Sequence, residues 1–181
     1  MSKGKSWLER ASLGRFAAID FETADQKPDS ACAVAVVRVE QLQVVRRRVW
    51  LLRPPRRQFL FTALHGISWE KVAGAPTFAD VWPELAGEFS GLDFVAAHYA
   101  PFDRRVLETC CLAAAVSVPS MPFICTVILA RRVWDIRPTK LPDVCSALGI
   151  ALQHHNPASD AEACAEVVIR AAKGVSRVLA R

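Results

Sequence analysis

Two carboxylates one residue apart, Asp20 and Glu22 in AAIDFET, stand in a short apolar segment. On a strand, residues i and i+2 leave the same face, so both acids emerge from one side together. Acids held side by side near a core repel each other and are costly to desolvate, and a divalent cation relieves both problems. Magnesium and manganese prefer oxygen ligands, and magnesium commonly takes one or two carboxylates plus phosphate and water. A further acid, Asp103 in VAAHYAPFD, falls just after a strand-like stretch, at a helix start that favours negative charge. Asp160, in HHNPASDAEACAE, lies near the first turn of the last helix, five residues after His155 in a Pro-containing loop. An imidazole titrating near neutrality beside a helix-borne carboxylate suits proton removal from water. Each residue also has an ordinary explanation: solvent-facing acids at a strand end, a helix-start acid, an exposed loop histidine, a capping acid. None of these accounts for the whole set in this order.

The elements that must position these groups can be read from periodicity. The spacing predicts a strand over 16–22, then β-branched strands over 32–40 and 44–52, close enough to form an antiparallel meander with the first. Pro54-Pro55 ends that region, and 64–67, interrupted by glycine, reads as a loop. A helix over 77–89 carries Phe78, Val81, Trp82, Leu85 and Phe89 on one face, with Thr77 as N-cap. Pro83 is expected to kink or divide it. Strands follow over 94–97 and 123–126, with helices over 102–116, 127–134, 141–148 and 161–172. Three strands in a row, then strands alternating with helices, give an α/β domain with a mixed sheet.

The chain of 181 residues fits one domain with a sizeable core. Although 52% of it is hydrophobic, no run is long enough to span a bilayer, and the N-terminus has no apolar signal-peptide core. A cytoplasmic protein without membrane contact is expected. The six cysteines, Cys32, Cys110, Cys111, Cys125, Cys145 and Cys164, lack zinc-site spacing and read as reduced core thiols. Formal charge is +5, and between Gln41 and Trp69 there is no acid but Arg46, Arg47, Arg48, Arg53, Arg56 and Arg57. Arg131, Arg132, Arg137 and Lys140 form a second basic group, and Lys3, Lys5, Arg10 and Arg15 a third. Such clusters suit a polyanion, but equally a solvated surface.

The ordered motifs resemble the DEDDh branch of the DnaQ-like 3′→5′ exonucleases, the family of the epsilon proofreading subunit of bacterial DNA polymerase III. The matching stretches are AAIDFET, LHGIS with PTFADVWPEL, VAAHYAPFDRRVL, KLPDVCSALGI and HHNPASDAEACAE. The resemblance implies a ribonuclease H-like fold: a central five-stranded mixed β-sheet flanked by α-helices. It sets an exonuclease domain over 16–175 between tails over 1–15, read as a tail or short helix, and 176–181.

It further implies two divalent ions, Mg2+ or Mn2+, roughly 4 Å apart, held by Asp20, Glu22, Asp103 and Asp160. His155, favoured over His154 by the family spacing, becomes the base in this scheme. Phe21, Thr23, His65 and Phe102 become candidates for contact with the terminal nucleotide. Thr23 and Phe102 also have plain structural readings. Tyr99 stands where relatives often carry Asn, which points to a differently shaped pocket. The implied activity is metal-dependent hydrolysis of terminal phosphodiesters in nucleic acid with a free 3′ end, releasing nucleoside 5′-monophosphates. Single-stranded DNA is the expected substrate. Short RNA, or a non-catalytic nucleic-acid-binding module of the same fold, is the alternative. Because the chain ends soon after the last helix, a stand-alone nuclease is expected over a polymerase subunit. A polymerase or repair partner, or a homodimer, stays open.

Overall fold

Strict alternation along the first strand decides how the sheet is covered. The computed structural model describes residues 14–179, with side chains up to residue 174. Strands β1 (Arg15–Thr23), β2 (Ala31–Glu40) and β3 (Gln43–Leu51) form the antiparallel meander, while β4 (Phe94–Ala97) and β5 (Phe123–Cys125) add in parallel on the other side of β1. The order β3-β2-β1-β4-β5 makes the expected five-stranded mixed sheet. The β2–β3 hairpin turns through Gln41 and Leu42, both at positive φ, as a two-residue turn matching strand twist requires.

Seven helices among the described residues follow: α1 (Thr62–His65), α2 (Trp69–Val72), α3 (Phe78–Glu88), α4 (Ala100–Ala113), α5 (Thr126–Trp134), α6 (Leu141–Leu148) and α7 (Pro157–Leu179). Phe16 and Ala18 join one core, with Leu129, Val144 and Val168 of α5, α6 and α7. Ala17, Ile19 and Phe21 face the other, with Leu85 and Phe89 at α3 and Val106 of α4. The two-sided sheet is therefore built by residue parity on β1. Asp20 and Glu22 continue the Phe16–Ala18 side, beneath α7. A row of buried alanines on α7, from Ala161 to Ala172, lets that helix lie close to the strands.

Four local expectations change. The stretch read as a loop over 64–67 instead belongs partly to the one-turn helix α1, which ends where Gly66 takes a left-handed conformation. Pro83 neither divides nor ends α3. It is solvent-exposed, as is Ala79 four residues earlier, so the carbonyl it deprives of a donor can turn to water. Thr126 opens α5 rather than closing β5. The last helix begins at Pro157, a favoured first-turn residue, and extends beyond 172 to Leu179. Thr77 caps α3 as expected, in a reciprocal capping box with Asp80. Of the N-terminal tail expected over 1–15, residues 1–13 lie outside the described residues, and Arg15 starts β1. All six cysteines are free, and five are buried.

Candidate active site

Because β1 and β4 run parallel, their C-terminal ends open on one edge of the sheet, the usual position for a site in such folds. Asp20 and Glu22 reach this edge from β1, Asp103 from the first turn of α4, and Asp160 from the first turn of α7. Ligand oxygens of Asp20, Glu22 and Asp160 all lie within 4.8 Å of one another. Asp103 stands behind them, fully buried, where its Oδ1 accepts the Phe21 backbone N–H at 3.1 Å. The structure thus brings the four acids of the sequence reading to one end of the sheet, three in direct convergence and Asp103 within electrostatic reach of Asp20.

Their electrostatics are unfavourable in isolation. Burial, followed by the charges of Asp103, Asp160 and Glu22, pushes the Asp20 carboxyl well above its usual range. Burial, with Asp160, raises Glu22 to about 7. Burial raises Asp103 to about 8 despite the Phe21 N–H that favours its charged form. Asp160 is also raised by burial, against the opposing His155 N–H and His154 ring. Its Oδ2 accepts the His155 backbone N–H at 3.1 Å and meets His154 Nδ1 at 3.0 Å, while the buried Oδ1 has no hydrogen-bond partner. A partnerless buried oxygen beside two further acids is the environment a hard divalent cation satisfies, so the donor set fits magnesium or manganese.

Asp20, Glu22 and Asp160 line a cavity of about 630 Å³, together with Phe61, Leu64, Tyr99, Phe102, Arg131 and Lys140, while Asp103 lies outside the lining. His154 and His155 also line it, with their rings stacked at 3.7 Å. His155 sits at positive φ, and burial, then His154, holds its imidazole below the ordinary value, favouring the neutral, proton-accepting form. Phe102, for which core packing was the competing reading, is 42% exposed and opens on the cavity. Phe21 points into the opposite core, and only its backbone can face a ligand. His65 is absent from the cavity lining. Its Nδ1 accepts from the Ile67 N–H, which leaves Nε2–H to donate to the Thr23 carbonyl at 3.2 Å. It braces the backbone at Thr23.

The sequence reading assigned nothing to His98, although it sits inside VAAHYAPFD. The structure ties its ring to Thr126 Oγ1 and to the Thr139 carbonyl, both at 2.9 Å. Thr139 Oγ1 in turn accepts from Arg131 at 2.8 Å. This chain of contacts joins β4, α5 and the loop before α6, and sets the basic wall opposite the acids. A histidine directly after a buried strand was the available signal. Its partners lie too far along the chain to be guessed.

A fold of this topology with this carboxylate set defines a DnaQ-like nuclease domain. The family described as Exonuclease (RNase_T) matches residues 17–168, and the chain belongs to it. It is similar to DNA polymerase III PolC-type of Thermotoga petrophila, 28% identical over 159 residues, which cover 86% of this chain but 12% of the polymerase. It is also similar to exodeoxyribonuclease 10 of Escherichia coli K12, 36% identical over 104 residues, 56% of this chain and 40% of that one. Among solved structures, exonuclease X in complex with 5′-overhanging duplex DNA superposes with TM-score 0.73 at 26% identity, covering 89% of this chain and 93% of that one. The nuclease domain of 3′hExo, a DEDDh family member bound to rAMP, has the same fold: TM-score 0.76, 18% identity, 90% and 93% covered. The expected family, the DnaQ-like exonucleases, is the one matched. Among the described residues no helix is long and apolar enough to cross a membrane.

Proposed function

We propose that this chain is a 3′→5′ exonuclease that hydrolyses the terminal phosphodiester of single-stranded DNA and releases nucleoside 5′-monophosphates. The observation that carries this reading is the trio of Asp20, Glu22 and Asp160 with ligand oxygens within 4.8 Å, Asp160 also keeping a buried, partnerless Oδ1, open to a cavity of nucleotide size. The similarity to exonuclease X with duplex DNA, and to an exodeoxyribonuclease, favours DNA over RNA.

Asp20, Glu22, Asp160 and Asp103 would hold two divalent ions. When bound, these supply countercharge to the acids and polarise water and phosphate. The chain's own residues do the rest. Asp103 anchors the Phe21 backbone, and His65 braces that of Thr23, so the floor beneath the terminal nucleotide keeps its shape. Phe102 and Tyr99 offer exposed aromatic faces to a base, and Arg131 and Lys140 offer charge to phosphate. His155 accepts the proton of the attacking water at its ring nitrogen. His154 orients Asp160 through Nδ1.

The test is cleavage of 3′-labelled single-stranded DNA with magnesium or manganese. Stepwise shortening, with labelled monophosphate as the first product and none in EDTA, is expected; intact substrate with both metals overturns the reading. Of the two histidines, His155→Ala should lose about 100-fold or more in turnover, and His154→Ala clearly less. The reverse order would move the base to His154.

A further inference from the structure

Beside the catalytic cavity lies a hollow of about 270 Å³ that shares Thr23, Phe61 and Phe102 with it. Lys27 and Arg105 also line it. Beyond the β1–β2 loop is another hollow, of about 690 Å³, with Arg53, Arg57 and Trp69 in its wall. The two meet at that loop: Pro28 lines the smaller and Asp29 the larger, and Cys110 of the larger donates to the Pro28 carbonyl at 3.6 Å.

The loop acids are held by one side chain. Arg56 binds Asp25 at 3.0 Å and Asp29 at 2.6 Å, and its guanidinium holds both carboxyls below their usual range. By contrast, Lys27, Arg53, Arg57 and Arg105 are exposed, and none forms an ion pair among the described residues. The two hollows therefore present four cations outside any ion pair, Arg53 within electrostatic reach of Asp80, against two acids that share a guanidinium. Their apolar features suit bases: Phe61 and Phe102 at the entrance, and Trp69 with the Arg57 guanidinium 5.3 Å from its ring centre. Cations interleaved with aromatic faces, continuous with a nuclease cavity, form the surface that an unpaired polynucleotide strand recognises.

We infer that the strand 5′ to the scissile bond leaves the cavity between Phe61 and Phe102 and follows these hollows, its phosphates on Lys27 and Arg105, then on Arg53 and Arg57. The inference rests on the proposed exonuclease reading and extends it to substrate length. A dinucleotide ends within the cavity, whereas a longer strand reaches the groove.

The experiment compares wild type with the double variants Lys27→Ala/Arg105→Ala and Arg53→Ala/Arg57→Ala. Each should raise KM for a long single strand about tenfold at moderate salt. Each should also flatten the salt dependence of binding by roughly 1.4 in log–log slope, two phosphate contacts' worth. Turnover of a dinucleotide should not change. Fluorescence anisotropy of a labelled strand in EDTA reads the groove without chemistry. Unchanged affinity and salt slope in both variants overturn the groove even if wild type cleaves. Weakened binding in the variants, with no hydrolysis by wild type in metal, keeps the groove and overturns the exonuclease reading.

Discussion

On β3, Arg46 and Arg48 turn to one face of the sheet, where they meet the buried Glu88 at 3.2 and 3.8 Å, while Arg47 turns to the other and meets Glu162. At the opposite charge extreme, Asp20, Glu22 and Asp160 converge, and among the described residues no arginine or lysine is bonded to any of them. Both regions concentrate like charge, and both look functional in the sequence. Glu88 has two arginines at its Oε1, although its Oε2 has no hydrogen-bond partner, whereas no guanidinium or ammonium among the described residues pairs with the acids. The half-exposed arginines of β3 are paired within the protein, where their alternation across an edge strand ties α3 and α7 to the sheet and places charge along an edge that could otherwise pair with another chain. The acids are held together against their own repulsion, an arrangement that makes sense only if something positive joins them. Density of charge does not mark a site; several acids converging without an arginine or lysine do.

This contrast can be broken at several points. Asp20→Asn should cost at least about 1,000-fold in cleavage, several kcal/mol of transition-state stabilisation. It should leave the metal-free fold as stable as before or more so, since a repelling group is gone. Urea melts in EDTA beside steady-state rates would show this; a large loss of stability would make Asp20 structural.

The pH dependence of metal-free stability comes next. Glu22 rises from an ordinary 4.5 to about 7 in the fold, so between those values the folded state holds a proton the unfolded state has released. Stability should therefore be fully present below about pH 4.5 and fall as pH rises to about 7, by about 3 kcal/mol from this group alone. Saturating manganese should abolish the fall, because the ion favours the charged carboxylates. A flat EDTA profile would mean the acids are not crowded as described.

Smaller effects belong to the arginines. Arg46→Ala/Arg48→Ala strips the countercharge from buried Glu88 and should cost about 1–2 kcal/mol, less than a fully buried pair because both guanidiniums are half in water. Cleavage should be unchanged. Arg47→Ala removes an exposed pair and should cost about 0.5 kcal/mol or less. A substantial fall in strand affinity in either variant would place β3 in the nucleic-acid surface and erase the distinction drawn here.

Much of the site was legible because its signals are local. The i, i+2 spacing of Asp20 and Glu22, the helix-start position of Asp103 and the five-residue step from His155 to Asp160 all depend on neighbours in sequence. The same holds for the β1–β2–β3 meander. Elsewhere local signals misled. Pro83 looked like a break, but its solvent position spares the helix, and the start of α7 was read too late because its first turn carries Pro157 rather than an apolar stripe. The acid-free run from Gln41 to Trp69 read as one basic patch. In the fold it divides into paired Arg46, Arg47 and Arg48, the Arg56 clamp, and Arg53 and Arg57 outside any ion pair.

By itself, then, the amino-acid order determined which strands alternate, which acids share a face and the family to which the chain belongs. The tertiary structure alone decided which charges are answered. Arg47 and Glu162 are 115 positions apart, and Phe21 and Asp103 are 82 apart. Periodicity is a property of adjacent residues, whereas neutralisation is settled by distances of a few ångströms between elements that only packing brings together.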